Sequence, residues 1–479
     1  MAKAKKSETS LTLEEKLEQA LIADEEQPYK APDNWCWTTL KSISNLYNGD
    51  RGSNYPSKKD YVTEGVPFIN AGAIQNNTLE HIEFNYITQQ KYESLRAGKI
   101  QKNDILYCLR GSLGKTAIIE TDIMGAISSS LCIIRTKKDV LPKYLAYLLR
   151  TELITQQQDF AENGSAQPNL SAASVMEYKL PLAPLAEQQR IVDRIERMFS
   201  KLDEVKENVQ NVIDSFENRK SAILHKAFNG ELTAKWREEN KVNITEWNLL
   251  TLNDVGEYKK GPFGSSITKA MFVPKSQNTY KVYEQGNAIR KTLEYGRYYI
   301  SKEKYEELKG FSVKGGDIII SCAGTIGEVY KLPDNCEAGI INQALMRVRL
   351  FENIEEDFFM YYFGEILKED INNKSKGTAI KNIPPFKVMK AISIQLPSLP
   401  EQREIVHTLN RILFKEQQAK EKAEEVLEKI ELIKKSILAR AFRGELGTNN
   451  PDEESSIELL KTVLSEDKDA KINSKSKSK

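Results

Sequence analysis

The feature that most constrains this chain is an internal repeat. Leu185-Ala186-Glu187-Gln188-Gln189-Arg190-Ile191-Val192 returns as Leu399-Pro400-Glu401-Gln402-Arg403-Glu404-Ile405-Val406, with Glu187 and Glu401 214 positions apart. Ala227-Phe228-Asn229-Gly230-Glu231-Leu232 returns as Ala441-Phe442-Arg443-Gly444-Glu445-Leu446, again 214 apart. The stretch between the two marks therefore has one length in both copies. Upstream the match is looser: Trp35 answers Trp247 at an offset of 212, and Tyr86-Ile87-Thr88 answers Tyr299-Ile300-Ser301 at 213. Asp104-Ile105-Leu106-Tyr107-Cys108 answers Asp317-Ile318-Ile319-Ile320-Ser321, also at 213. Two copies of a unit of roughly 200 residues are too few and too long for a solenoid. They describe a pseudo-dimer within one chain, with one globular domain and one long helix per copy.

The layout follows from those marks. Residues 1–34 are a preface with a short helix, for which Thr12 and Glu15 supply a capping box and Leu13, Leu17 and Leu21 an apolar side. Residues 35–185 form the first globular domain and 186–246 a helix with its linker. Residues 247–398 form the second domain, 399–446 the second helix, and 447–479 a flexible tail whose end, Ile472 to Lys479, lacks core-forming residues. Along the first helical segment Ile191, Ile195, Met198, Leu202, Val205, Val209 and Val212 recur at spacings of three and four. Ile405, Leu409, Ile412, Ala419, Ala423, Val426, Ile430 and Ile433 do the same in the second. A seam of period near 3.5 on a helix roughly 60 Å long is more than a small domain can bury. It is expected to face the other copy, antiparallel, because the chain connection then needs no return along the helix. The fold class predicted is α+β: two mixed α/β domains related by pseudo-two-fold symmetry and separated by two long antiparallel coiled-coil helices.

Within the domains, Asp104 to Leu109, Lys115 to Ile119 and Ala126 to Arg135 read as strands, matched by Asp317 to Cys322, Gly327 to Leu332 and Ala344 to Leu350. A short Tyr- and Leu-rich helix follows in each, over Tyr144 to Arg150 and Asp357 to Leu367. Polar and basic side chains gather in the loops. The first domain offers Arg51, Lys58, Asn70, Arg110, Ser112 and Lys115, with Ser165, Gln167 and Asn169 in a later loop. The second offers Lys259, Lys260, Ser265, Ser266 and Arg290, with Lys376 and Thr378. These are the residue types that bond phosphates and base edges.

Composition excludes other chemistries. With 69 Lys and Arg against 68 Asp and Glu, the net charge is +1, so nucleic acid would be held by local patches and not by an overall field. The five cysteines lie far apart with no C-x-x-C pair, which reads as reduced thiols of a cytoplasmic protein. His81, His225 and His407 are not at metal-ligand spacing, and no apolar run of 18 residues suggests a membrane span. Gly111-Ser112-Leu113-Gly114-Lys115-Thr116 ends like a phosphate loop but has Leu109 where that motif needs its first glycine. Asn382-Ile383-Pro384-Pro385-Phe386 is similar to the Asn-Pro-Pro-Phe loop of adenine methyltransferases, yet Ile383 interrupts it. Both read as turns, and no enzyme site is expected.

Two variable domains, each followed by Glu-Gln-x-x-Ile opening a long helix that closes in Ala-Phe-x-Gly-Glu-Leu, resemble the specificity (S) subunit of type I restriction–modification systems. Gly261-Pro262-Phe263-Gly264-Ser265 is similar to a loop found early in that family's target-recognition domains, and Pro168-Asn169-Leu170-Ser171 to one before the last strand. The first copy departs from the former with Asn48-Gly49-Asp50-Arg51-Gly52, and the second from the latter with Ile380-Lys381-Asn382-Ile383. The resemblance implies a non-catalytic chain in which each domain reads half of a bipartite double-stranded DNA sequence. It implies two modification subunits that use S-adenosylmethionine, and up to two restriction subunits that use ATP and Mg, none of these cofactors being bound by this chain. Glu187, Gln188, Ile191, Ile195, Leu202, Glu401, Gln402, Ile405, Leu409 and Ile430 would then form the helix seam and partner-docking set. The alternative from another class is a non-catalytic coiled-coil scaffold joining two ligand- or protein-binding domains.

Overall fold

A computed structural model of the protein describes residues 11–80, 83–161, 169–367 and 383–476. The chain divides into two compact units, one made of residues 1–209 and 425–479 and the other of residues 210–424.

The first unit is built on a four-stranded antiparallel sheet in the order Ser44–Asn48, Leu131–Thr136, Ile105–Cys108, Thr116–Ile118. A second sheet carries Ala126–Ile127, Val66–Ile69, Asn85–Ile87 and Tyr61–Val62, with the first two parallel. A ribbon of Cys36–Thr39 with Lys179–Leu182 leads into the long helix Leu185–Phe228. The second unit repeats the plan: Gly256–Lys260, Leu345–Leu350, Ile318–Ser321, Val329–Lys331 in the same antiparallel order, and a ribbon of Asn248–Thr251 with Ser393–Leu396. Its second sheet again has a parallel pair, Thr279–Tyr283 with Gly339–Ile341, but its edge strand, Ser312–Val313, joins a different neighbour.

The central strands explain why apolar runs and not alternation mark this sheet. Ile105 and Tyr107 point into the core that holds Tyr144 and the start of the long helix, while Leu106 and Cys108 point into a second core with Ile69 and Ile127. A strand buried on both faces reads as continuously apolar. The same effect misleads over Ala126 to Arg135. That run is two strands in two sheets, Ala126–Ile127 and Leu131–Thr136, separated by a turn in which the Ser128 and Ser130 hydroxyls bond each other at 2.7 Å. Each unit also ties its sheet with one buried acid. Asp104 takes a bidentate pair from Arg135 at 2.7 and 2.8 Å, and Asp317 takes one from Arg349 at 2.7 and 3.0 Å. The hydrogen bond to Asp317 holds the Arg349 guanidinium above its ordinary pKa.

The long helices, Leu185–Phe228 and Leu399–Ala441, run antiparallel wherever they meet. In the first unit Lys206 bonds Glu431 at 2.7 Å and Asp203 accepts from Lys434 at 2.5 Å, so numbers fall on one helix as they rise on the other. In the second unit Arg219 meets Glu416 at 3.0 Å. Each helix ends on a glycine in the left-handed region, Gly230 at φ +84° and Gly444 at φ +76°, which is why the Ala-Phe-x-Gly mark stops the helix in both copies.

Two expectations are corrected. The seam is not buried along its whole length. Ile191 and Ile195 sink into the first unit's core and Ile405 and Leu409 into the second's, and Ile430 is also buried. Leu202 is only half-buried, and Val205, Val212, Val426 and Ile433 in the helix middles are half-exposed, because a single antiparallel neighbour covers only part of each helix. The region after 447 is not simply a flexible tail. Residues Ser456–Ser476 form a helix, and Leu460, Val463 and Leu464 on it are buried in the first unit's core beside the preface helix Leu13–Ala20. The apolar spacing within Ile457 to Leu464 overrides the polar composition that follows it. The preface helix has the capping box on Thr12 and Glu15, and Leu13, Leu17 and Leu21 pack on that core.

Candidate nucleic-acid interface

The repeated Glu-Gln pairs are buried knots and not a docking surface. Glu187 and Gln188, like Glu401 and Gln402, are fully buried. Trp35 donates its indole N–H to Glu187 at 2.7 Å, and Asn449 and Thr448 donate to the same carboxylate at 2.9 and 3.3 Å. Trp247 donates to Glu401 at 2.9 Å, joined by Thr233 at 2.8 Å and Arg237 at 2.6 Å. Gln188 donates to the Ala183 carbonyl and accepts from the Leu141 N–H; Gln402 donates to the Pro397 carbonyl and accepts from the Glu355 N–H. In each unit one helix start is thus locked to its own domain and to the turn that follows the other helix. Fully buried and bonded within their own unit, these four side chains act on the helix start.

In the first domain the structure gathers part of the basic set. Arg110 donates from Nε to the Asn169 side-chain oxygen at 3.1 Å, and their main chains form a bridge. Ser112 and Lys115 stand exposed on the adjoining turn between Ile105–Cys108 and Thr116–Ile118, so the Gly-Lys-Thr sequence is a strand connection. Arg51 and Lys58 lie on a different stretch, both exposed, Arg51 with its N–H on the Asp50 carboxylate. Asn70 is engaged by its own turn: its side-chain oxygen caps the short helix Ala71–Ala73 by accepting from Gly72 N–H at 2.8 Å. Ser165 and Gln167 lie outside the described residues, as do Lys376 and Thr378 of the second domain.

In the second domain Lys259 and Lys260 end an edge strand of the first sheet, and alternation sends them to opposite faces. Both are exposed; the Lys259 ammonium sits 5.1 Å from the Phe311 ring centroid, and Lys260 stands at the mouth of the next loop. That loop holds the short helix Gly264–Ser266, with Ser265 exposed and Ser266 half-buried. Arg290 ends the helix Gln285–Arg290 and stacks its guanidinium over Tyr295 at 4.8 Å. Among the described residues there is no group of three side chains that could hold a metal. None of their helices is long and apolar enough to cross a membrane. Four of the five free cysteines are buried, and burial pushes the Cys322 thiol up to about 12.

The structure also relates two loops whose sequences differ. A Cβ on Gly261 would stand 1.8 Å from the Asn342 carbonyl oxygen, and one on Gly49 would stand 2.6 Å from that of Ser128. Asn342 and Ser128 are 214 positions apart. Asn48-Gly49-Asp50-Arg51 and Lys260-Gly261-Pro262-Phe263 therefore leave equivalent strands at equivalent places. Two exposed side chains at their tips, Arg51 and Phe263, occupy matching positions. The sequence marks the Gly261 to Ser265 loop but leaves Phe263 out of the DNA-binding set, because an aromatic in a loop carries no polar signal.

The family model for the type I restriction modification DNA specificity domain matches residues 32–215 and again residues 244–429. The chain belongs to this family. Each match begins a few residues before the ribbon strand and runs into the long helix, so it takes in domain and helix together. The type I restriction enzyme EcoKI specificity subunit of Escherichia coli (strain K12) is 22% identical over 466 residues, covering 91% of this chain and 96% of that protein. The EcoBI specificity subunit of Escherichia coli is 28% identical over 212 residues, 44% of each. Among solved structures, a chain of a type I R-M system aligns with TM-score 0.63 and 20% identity, covering 88% of this chain and 100% of its own. The HsdS subunit from Thermoanaerobacter tengcongensis aligns with TM-score 0.56 at the same identity and coverage. At that identity these two alignments concern the fold, and they extend over both copies. A plain scaffold gives no reason for a DNA specificity domain to occur twice.

Proposed function

We propose that this specificity-family chain reads a bipartite target in double-stranded DNA, one half with residues 35–185 and the other with 247–398, while the paired helices set the gap. The observation that carries the reading is the family's DNA specificity domain present twice, each copy locked to its helix by the same buried knot. Two readers in one chain suit a target made of two half-sites about one helical turn, roughly 34 Å, apart. Linking them makes the second contact intramolecular and multiplies weak half-site affinities. The chain itself is non-catalytic. Two modification subunits would bring S-adenosylmethionine and flip out the adenine they methylate. Restriction subunits would bring ATP and Mg. The half-exposed apolar positions in the helix middles, and not the buried Glu-Gln pairs, are the surface left for those partners, and the assembly works on cytoplasmic DNA.

A methylome comparison tests this. Deleting the gene removes one bipartite adenine-methylation motif, and restoring it with residues 35–185 exchanged for another family domain changes one half of that motif only. An unchanged methylome rules the reading out. The lysines give a second check through the salt dependence of DNA binding. Removing one lysine–phosphate ion pair lowers the slope of log affinity against log salt by about one. Lys260→Glu, at the exposed end of its strand, is expected to do so; an unchanged slope would place that side chain off the DNA.

A further inference from the structure

Phe263 is 86% exposed, whereas Phe228, Phe358, Phe359 and Phe363 of the same unit lie in its core. A single exposed apolar side chain is ordinary on a protein surface. What sets Phe263 apart is the rigidity beneath it. The Gly261 N–H bonds the Leu345 carbonyl at 2.9 Å, and a side chain at 261 would collide with Asn342. Pro262 is buried and its ring fixes φ. Ser266 N–H closes the turn on the Phe263 carbonyl at 2.8 Å, and Ile267 anchors the exit in the apolar cluster with Val282 and Ile300. The ring is held out into solvent on a turn with little freedom to fold it back.

Its neighbours along the chain are cationic and polar: Lys260 before it, Ser265 and Ser266 after it. The equivalent tip in the first domain is Arg51, also exposed, on a loop pinned in the same way by Gly49. Phenylalanine and arginine share one property that few other pairs share, a flat face that stacks on a base or enters a groove. A pinned aromatic flanked by phosphate-binding groups has the build of a wedge: the cations hold the backbone while the ring enters between base pairs.

We propose that Phe263 is a wedge residue, inserting at a base step of the half-site read by the second domain and partly unstacking it. This rests on the reading of the domains as DNA readers. The ring supplies distortion and positioning and makes no hydrogen-bonded base contact. The cost of unstacking depends on the step being opened, so the wedge also contributes to sequence choice by indirect readout.

The test uses the full chain assembled with its modification subunits and duplexes carrying its own methylation target. 2-Aminopurine is placed in turn at adenines of each half-site. Apart from the methylated adenine, which the modification subunit flips out in wild type and variant alike, wild-type complex is expected to raise the fluorescence at one further step of the second domain's half. Phe263→Ala should abolish that rise at saturating protein while weakening binding roughly tenfold, and Phe263→Trp should restore it. Signals in the first domain's half should not change. If the wild-type complex binds the target and Phe263→Ala gives the same fluorescence, the wedge is overturned and the DNA-reading assignment stands. If the wild-type complex shows no preference for the target over unrelated duplex, the assignment itself fails.

Discussion

Replacing Glu401 with alanine is expected to destabilise the second unit by about 3–5 kcal/mol, because it strands a buried cation. Arg237 is 8% exposed, and Glu401 is its carboxylate partner at 2.6 Å. The remaining Arg237 bonds, to the Thr233 hydroxyl and the Gly230 carbonyl, are to neutral groups and cannot offset a buried charge. The Trp247 indole and Thr233 hydroxyl also lose their acceptor. Removing the cation as well, in Glu401→Ala with Arg237→Leu, should recover most of the loss, since an apolar replacement of both partners avoids stranding either. Denaturant titration of the full chain reads both, as a midpoint shift in the unit containing residues 210–424. A loss below about 1 kcal/mol in the single variant would mean that the pair is open to water and that the knot is not what fixes the helix start. The first unit provides the contrast. There the donors to Glu187 are Trp35, Thr448 and Asn449, all neutral, so no cation is stranded when that acid is removed.

These knots show what the sequence made legible. The 214-residue repeat predicted one domain and one long helix per copy, and both copies have the same strand order in the main sheet and the same helix stop at Gly230 and Gly444. The role of the Glu-Gln marks was less visible, because charged side chains are seldom fully buried and a surface role is the ordinary expectation. The signal was present all the same. Trp35 and Trp247 repeat together with Glu187 and Glu401, and an indole N–H needs an acceptor when buried. The run from Ala126 to Arg135 hid a change of sheet because both halves are covered on both faces, so no polar residue marks the passage except Ser128 to Ser130. The equivalence of the Asn48-Gly49 and Lys260-Gly261 loops depends on backbone crossing close to Ser128 and Asn342, a tertiary contact with no local trace. Of the basic loop residues, composition found Arg110 and Asn169, which the fold joins. It also included Asn70, whose side chain is occupied by its own turn, an alternative always open to asparagine.

Ending the chain after Gly447 is expected to cost the first unit on the order of 5 kcal/mol or more while leaving the second unit's transition in place. Leu460, Val463 and Leu464 are buried, and each such side chain contributes about 1.5–3 kcal/mol. The truncation also removes Asn449 and Thr448 from Glu187, the Ser456 N–H from the Asn34 carbonyl, and the Arg190–Glu453 bidentate pair at 2.8 Å. The last is a small and titratable share. Arg190 holds the Glu453 carboxyl below its ordinary 4.5, so that contribution is present above about pH 4.5 and fades as the pH falls through the lowered value. Being partly exposed, it is screened by salt. Leu460→Ala alone, at about 2–5 kcal/mol, reports the packing without deleting the polar contacts. Two denaturation transitions, or limited proteolysis that frees the preface first, would read the effect; an unshifted first-unit midpoint would show that the tail helix is only appended. The consequence reaches folding order. Residues 210–424 are contiguous and can close as soon as they are made, but the first unit needs both ends of the chain. Its helix start at Glu187 has Trp35 from its own domain but gains Thr448 and Asn449 only when they arrive, so the domain synthesised first is the one completed last. Contacts spanning some 260 residues then close only after the second unit has shortened the loop between them.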